Sequence, residues 1–319
     1  MSAAAEAPRQ TVSAAVICVD EERNIGACLE SLAWCDEIVV VDSGSRDRTV
    51  EIARKTATRV LHHAWPGYVA QKNWALEQTT CDWVLCVDAD ERCTPALRAA
   101  IEAVLRRELP AFPDGNPTMN RAPTLEQESR FPRSEPEASG EVTRPLPRSE
   151  PTASGEIHEV AGFEVRRHVF YLGRWIDHGG WYPDWKLRLV RRGRARWGGV
   201  DPHDKLIADG AVGRLDAELV HYTYADFAAH LRTVQRFSDV VAGVQAAEGR
   251  RFSLLRALLH PPAKFFECYV WKRGFLDGWP GFVIAATSSF YVFAKYVKLW
   301  EKTVPPSEPK ASGEFHNTP

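Results

Sequence analysis

A chain of 319 residues, 45% apolar and 26% charged, can bury a sizeable core and is ordinary in composition for a globular protein of one large domain or two small ones. A formal net charge of −2 argues against bulk nucleic-acid binding. The start, MSAAAEAPRQ, has neither a basic stretch nor an apolar one, so no secretory signal is expected. The seven cysteines are scattered singly with no CxxC pair, which argues against zinc and for a reduced, cytosolic setting.

Residues 11–19, TVSAAVICV, form a β-rich apolar run and a first predicted strand. The acid-rich 20–24 follows, then a helix to Leu32 with Ile25, Cys28, Leu29 and Leu32 at helical spacing. A second strand, 37–41, ends on Asp42-Ser43-Gly44-Ser45, where an acid and small hydroxyls meet a glycine turn. A helix over 49–55, a short strand over 59–62 and a helix over 67–77 come next. The fourth strand, 83–87, runs straight into Asp88-Ala89-Asp90. A short apolar run of this kind reads as a buried parallel strand, and strands alternating with helices imply a doubly wound sheet.

In such sheets ligands sit outside the carboxyl ends of the strands, and two carboxylates there are unfavourable unless they meet a cation. Residues i and i+2 of an extended segment point the same way, so Asp88 and Asp90 are expected to address one ligand together. Hard oxygen ligands suit Mg²⁺ or Mn²⁺, and these suit a diphosphate. The competing reading is an acidic helix start, because Thr94-Pro95 makes a good N-terminus for a helix to about Glu108.

Residues 110–159 are rich in Pro, Ser, Glu and Gly and repeat themselves, RSEPEASGE at 133–141 and RSEPTASGE at 148–156, with a third copy, PSEPKASGE, at 306–314. This composition buries too little apolar surface to offset the entropy of ordering, so disorder is expected. Structure resumes with a strand over 162–172. Residues 173–197 are aromatic and basic, with six cations between Trp185 and Trp197 and no acid among them. They are read either as a phosphate-binding patch or as the solvated face of a hairpin turning at Arg192-Gly193. Residues 198–205, GGVDPHDK, are expected to form a turn, 214–222 a strand ending at His221, and 226–247 a polar helix. From Leu254 onward apolar stretches mix with Trp, Tyr, Lys and Arg. Residues 278–294 carry no charge over seventeen positions, borderline for a membrane span. The interspersed lysines and arginines favour helices lying in the membrane interface over a spanning helix.

With these pieces placed, the chain resembles the inverting glycosyltransferases of family 2, which have the GT-A fold, a Rossmann-like doubly wound mixed α/β sheet. VICVDEERNI, VVVDSGSRDRTVEIA, GYVAQKNWAL and LCVDADERCTP carry that likeness in order. FYLGRWIDHGGWYPDWKLRLVRRGRARW, LVHYTY and the segment from Gly274 to Glu301 resemble the bacterial lipopolysaccharide-core β-1,4-glucosyltransferase subgroup. The resemblance implies that Asp42 hydrogen-bonds the uracil imide and that Glu21 lines the same nucleotide site. It places Lys72 and Asn73 near the nucleotide. Asp88 would meet ribose and metal, and Asp90 would ligate the metal that bridges the diphosphate.

Inversion needs a base on the sugar face opposite the leaving group. Asp204 is the candidate, in a place where relatives carry a Val-His-Glu pattern; Asp201 is a rival. His203 could orient the base, and His221 could complete the metal shell. The expectation is therefore a divalent-metal-dependent hexosyltransferase taking a UDP-sugar, in the first place UDP-glucose, to an anionic glycolipid. It would sit peripherally on the inner face of the bacterial cytoplasmic membrane. Its layout is expected to be a tail over 1–10, a nucleotide-sugar half over 11–110, an insert over 111–159, an acceptor half over 160–247, amphipathic helices over 248–303 and a tail over 304–319. The rivals are transfer to a polyprenyl or dolichyl phosphate, which needs no general base, and a non-catalytic sugar-nucleotide-binding scaffold.

Overall fold

The computed structural model describes residues 9–106, 160–200 and 203–304. The three PSEP-type repeats, the insert and the C-terminal tail lie outside the described residues, as do Asp201 and the side chain of His203.

The N-terminal part alternates strands and helices as expected: β1 (Val12–Cys18), α1 (Ile25–Leu32), β2 (Glu37–Asp42), α2 (Thr49–Ala53), β3 (Arg59–His62), α3 (Tyr68–Glu77) and β4 (Trp83–Asp88). The four strands are parallel, in the order β3-β2-β1-β4. A short β5 (Glu91–Cys93) leads to α4 (Pro95–Arg106). The Thr94 hydroxyl accepts from the Leu97 amide at 3.1 Å and caps α4, and Pro95 sits where a missing N–H does no harm.

The C-terminal half adds β6 (Val160–Tyr171), β7 (Arg174–Ile176), β8 (Asp184–Arg191), β9 (Ala195–Val200), β10 (His203–Ala208) and β11 (Ala211–Tyr222). β8 joins β4 antiparallel and β6 joins β8 antiparallel. β11 then lies parallel to β6, and β5 closes the edge antiparallel to β11. The sheet is thus mixed, with β1, β4, β6 and β11 all ending at one edge. Of the residues expected to form a turn, 198–200 and 203–205 belong to the strands of a separate β9–β10 hairpin, with Asp204 opposite Gly199.

Side-chain alternation builds two layers of core. Val12, Ala14, Val16, Trp83, Leu85 and Val87 face α1 and α4. On α4 the buried residues Leu97, Ile101, Val104 and Leu105 recur at helical spacing. Each such side chain contributes about 1.5–3 kcal/mol by leaving water. Ala15, Val84, Cys86 and Val190 face the other way, against Leu76 of α3 and Trp197 of β9. Asp88 follows Cys86 by two positions and so opens on this α3 face.

Past the sheet come α5 (Phe227–Ala247), α6 (Leu254–Phe266), a π-helical turn (Glu267–Trp271), a 3-10 turn (Gly274–Asp277) and α7 (Gly278–Thr303). Asp226 caps α5 by accepting from the Ala229 amide at 2.7 Å. α7 packs against α5 and α6, and Val283 and Ile284 reach the end of the sheet beside Val169, Tyr171 and Ile176. The segment from Gly274 to Thr303 is long and apolar enough to cross a membrane, yet 44% of its most apolar window is buried inside the protein.

Candidate active site

The described candidate residues sit at or near the carboxyl edge, each with its own set of partners. β4 ends at Asp88, and the chain turns through Ala89 and Asp90 before β5. The two acids therefore do not project together from an extended segment. The Asp88 carboxylate meets Lys72 Nζ at 3.1 Å and Arg188 Nη2 at 3.1 Å. Asp90 instead meets His221 Nε2 at 3.1 Å. Burial alone would raise the Asp88 carboxyl, but Lys72 and Arg188 outweigh it and hold the group well below the usual carboxylate range.

Arg188 is the residue the sequence hid. It is buried, and its Nη2 also donates to Glu91 Oε1 at 2.5 Å. Glu91 is itself fully buried, and its second oxygen accepts from the Asp88 amide at 3.0 Å. Burial pushes the Glu91 carboxyl up against the pull of Arg188. The triad fixes the end of β4 through both its backbone and its side chain.

The rest of the basic run is spread over the protein and does not gather into a phosphate patch. Arg191 donates to the Val160 carbonyl and stacks on Trp83, Arg192 donates to the Cys81 carbonyl, Arg194 donates to the Asp209 carbonyl, and Lys186 pairs with Asp184. Strand alternation and the turn at Arg192 separate neighbours in the sequence. The only clue to Arg188 was its place between Leu187 and Leu189.

Lys72, on α3, joins the two halves. Its ammonium lies 2.9 Å from Asp204 Oδ2 as well as 3.1 Å from Asp88 and stands over the Trp197 ring at 4.4 Å. Burial would lower its pKa, but Asp88 and Asp204 prevail against the nearby Arg188 and raise it, so the ammonium stays charged. Next to it, Asn73 bonds the backbone of β9. Its amide donates to the Trp197 carbonyl at 2.9 Å and its oxygen accepts from the Trp197 amide at 2.8 Å. Asn73 therefore acts as a strand neighbour for β9 and pins the hairpin that carries Asp204.

Asp42 is buried at the end of β2, and its oxygens accept from the Gly44 amide at 2.9 Å, the Ser45 amide at 3.1 Å and the Ser45 hydroxyl. It shapes the loop that begins there, and Gly44 supplies the positive φ of 101° that the turn requires. Gln71, fully buried, ties this loop to α3 through Ser43 and His63. Glu21 holds the start of α1, its carboxylate accepting from Asn24 at 2.8 Å and its amide donating to Thr49 Oγ1 at 2.7 Å. Burial pushes its carboxyl up, opposed by Asn24.

For a divalent ion, Asp90 and His221 supply an adjoining oxygen and nitrogen donor. Among the described residues no group of three or more His, Cys, Asp or Glu side chains could enclose an ion. Asp88 already faces two protein cations. The Asp90 carboxylate fits Mg²⁺ or Mn²⁺, which commonly take one or two carboxylates and complete the shell with water and substrate phosphate; the imidazole is the less usual donor for such hard ions. The buried His221 Nδ1 has no hydrogen-bond partner, leaving the ring free of a second anchor.

The mixed sheet with acids gathered at its carboxyl edge is the architecture expected of the GT-A fold. The chain carries a family 2 domain: residues 13–133 match the model described as Glycosyl transferase family 2. The lipopolysaccharide core biosynthesis glycosyltransferase LpsC of Rhizobium meliloti (strain 1021) is 27% identical over 302 residues, covering 92% of this chain and 94% of that protein. An uncharacterized glycosyltransferase of Rickettsia bellii (strain RML369-C) is 40% identical over 96 residues, 29% of this chain and 32% of the relative. That match thus spans about a third of the Rickettsia protein. Among solved structures, Staphylococcus aureus TarS 1–349 aligns at 28% identity and a TM-score of 0.28, over 30% of this chain and 32% of that one. Glucosyl-3-phosphoglycerate synthase from Mycobacterium tuberculosis, in complex with Mn²⁺, UDP and phosphoglyceric acid, aligns at 24% identity and a TM-score of 0.27, over 30% and 39% of the two chains.

Proposed function

We propose that this enzyme transfers a hexose, glucose from UDP-glucose, with inversion to a lipopolysaccharide-core or related glycolipid at the cytoplasmic face of a bacterial membrane. The observation that carries the reading is the Lys72 bridge, which brings the acid at the end of β4 and the acid of the β9–β10 hairpin onto one ammonium. Near-complete alignment with a lipopolysaccharide core biosynthesis glycosyltransferase supports the acceptor class.

In this reading residues 11–110 hold the nucleotide sugar and 160–247 the acceptor. The loop shaped by Asp42 and the helix start held by Glu21 line the nucleotide side. Asp88 faces the ribose and diphosphate, and Asp90 and His221 would hold a divalent ion. A divalent ion bound there supplies charge neutralisation for the departing diphosphate. Asp204 accepts the proton of the acceptor hydroxyl while that oxygen attacks the anomeric carbon and the diphosphate leaves. Lys72 occupies one Asp204 oxygen and leaves the other for the acceptor. The helices over 248–303 attach the enzyme to the membrane surface.

Isothermal titration with UDP and UDP-glucose, with and without Mn²⁺, tests the donor site. UDP is expected to bind more tightly with Mn²⁺, and Asp90→Ala to abolish that difference. Folded protein that binds no uridine nucleotide under either condition would refute the reading.

A further inference from the structure

The face of the sheet on which Asp88 opens, toward Lys72 of α3 and Asp204 of β10, continues sideways beyond β8 onto β6, β7 and β11. There its character changes. On β6 the residues pointing to this face are Arg166, His168 and Phe170, at successive alternate positions. The intervening Val165, Val169 and Tyr171 go to the opposite, core side. On β11 the same alternation brings Glu218 and Tyr222 to this face while Leu215, Ala217 and Leu219 enter the core. Aromatic rings on the outer side of a sheet are unusual where nothing covers them, because that side ordinarily carries polar residues.

These side chains form a continuous surface. Trp175 of β7 lies 4.9 Å from the His168 ring, 5.1 Å from Phe170 and 6.0 Å from Tyr222. Tyr182 lies 4.5 Å from His168 on the other side. Hydrogen-bonding groups run through the rings: His168 touches Glu218 at 3.2 Å and Asp177 at 3.0 Å, and Tyr182 donates to Glu218 at 2.6 Å. Among the described residues the hydrogen-bond, ion-pair and ring-stacking partners of these groups come from strands and from the loop between β7 and β8, not from a helix. The platform also reaches the active site directly, since the Tyr222 amide donates to the Asp90 carbonyl at 2.9 Å.

We infer that this face, centred on Trp175, His168, Tyr182, Glu218 and Tyr222, is a saccharide-binding platform that holds the acceptor glycan beside the transfer site. Sugar rings present flat C–H faces that pack on aromatic rings and a rim of hydroxyls that need donors and acceptors. Half-buried aromatics interleaved with an imidazole, carboxylates and a phenol supply both. The pairing of His168 with two carboxylates keeps those groups oriented in the absence of a ligand. The inference rests on the proposed transfer to a glycolipid, but it concerns sugar recognition alone and needs no donor to be tested.

The experiment is a titration of the full chain, without nucleotide or metal, with core oligosaccharide released from lipopolysaccharide by mild acid, read by tryptophan fluorescence and by saturation-transfer NMR. Wild-type protein is expected to bind, Trp175→Ala to bind about tenfold more weakly, and Glu218→Gln to weaken binding as well. Trp175→Phe, which keeps an aromatic ring in a similar volume, is expected to bind more tightly than Trp175→Ala and guards against a folding artefact. Circular dichroism checks that each variant is folded. Oligosaccharide that fails to bind wild-type protein, or binds folded Trp175→Ala and Glu218→Gln undiminished, would overturn the platform. UDP titration of the same proteins reports separately on the donor site, so failure of the glycosyl-transfer reading and failure of the platform give different results.

Discussion

Lys72 Nζ stands 2.9 Å from Asp204 Oδ2, joining a helix of the N-terminal half to a hairpin of the C-terminal half. The pair is largely shielded from water, each side chain about one-tenth exposed at 11%. Removing the ammonium leaves Asp204 and Asp88 facing each other's charge with Arg188 as the remaining cation. Lys72→Met is expected to lower kcat/KM by roughly 10²–10³-fold, the usual scale for losing one charged group at a transfer site. It should also destabilise the fold, because breaking one side of a buried pair strands the other. Steady-state kinetics with urea denaturation separates the two effects: a variant as active as wild type would remove Lys72 from the site.

Asp204→Asn keeps the shape of the side chain and removes its ability to take a proton. If the acceptor is a hydroxyl, kcat should fall by about 10²–10⁴-fold while UDP affinity is unchanged. An acceptor phosphate is already deprotonated and needs no base. Full rate in the variant would therefore move the reading toward a lipid phosphate acceptor.

Arg188 neutralises two carboxylates at once and is almost inaccessible to water. Replacing it with Leu leaves the fully buried Glu91 without a cation and Asp88 with Lys72 alone, and a loss of about 3–5 kcal/mol in unfolding free energy is expected. Lysine should not restore it: one terminal nitrogen, Nη2, serves both acids, but an ammonium on a shorter stem is more strongly hydrated than a guanidinium and is harder to bury between them. Urea unfolding of the two variants checks this, and a stable Arg188→Lys would show that charge alone suffices.

Much of this was legible in the sequence. Apolar runs ending in acids gave β1, β2 and β4 nearly to the residue, and helical spacing gave the buried face of α1. The use made of individual polar groups was not legible, because it depends on contacts distant in sequence. Nothing in the sequence announced that Asn73 bonds the backbone of Trp197, far along the chain. Arg188 was one of six cations until the pairing of β8 with β4 turned it inward. The turn after Asp88 parted the two acids because β5 pairs with β11, a contact that no local pattern announces. The β9–β10 hairpin was missed for a related reason: its glycines and proline look like a loop, while its strands pair chiefly with each other.

His230, on α5, is buried among Tyr171, Tyr224 and Trp181 and bonded to the Tyr171 hydroxyl at 2.7 Å. Burial lowers its pKa from the ordinary 6.5 to about 4. The folded-state value lies below the unfolded one, so on acidification the unfolded chain takes up the proton first. The contribution of His230 is therefore fully present above pH 6.5 and declines as the pH falls from 6.5 toward 4. His230→Gln should be less stable than wild type at pH 7.5 and should flatten this part of the pH dependence. Thermal unfolding from pH 7.5 to 4.5 measures both; an unchanged slope in the variant would show that other groups set it.

The exposed apolar surface is concentrated on α6, the turns that follow it and the start of α7. Leu254, Leu255, Leu258 and Leu259 are all more than half exposed, and Trp271 and Trp279 reach 84% and 70%. Exposed Arg256 and Arg273 flank them, the arrangement of a helix that lies in a membrane interface with its cations toward anionic headgroups. Burying a large apolar side chain is worth about 1.5–3 kcal/mol, so Trp271→Ala with Trp279→Ala should weaken binding to vesicles of anionic phospholipid by tenfold or more. Leu258→Glu with Leu259→Glu should do the same through a different part of the surface. Co-sedimentation at low and high salt reads both contributions, because the cationic part is screened by salt and the apolar part is not. If both pairs of variants sediment with vesicles as wild type does, α6 and these turns are not the attachment surface. Attachment would then fall to the later turns of α7, beyond Trp279.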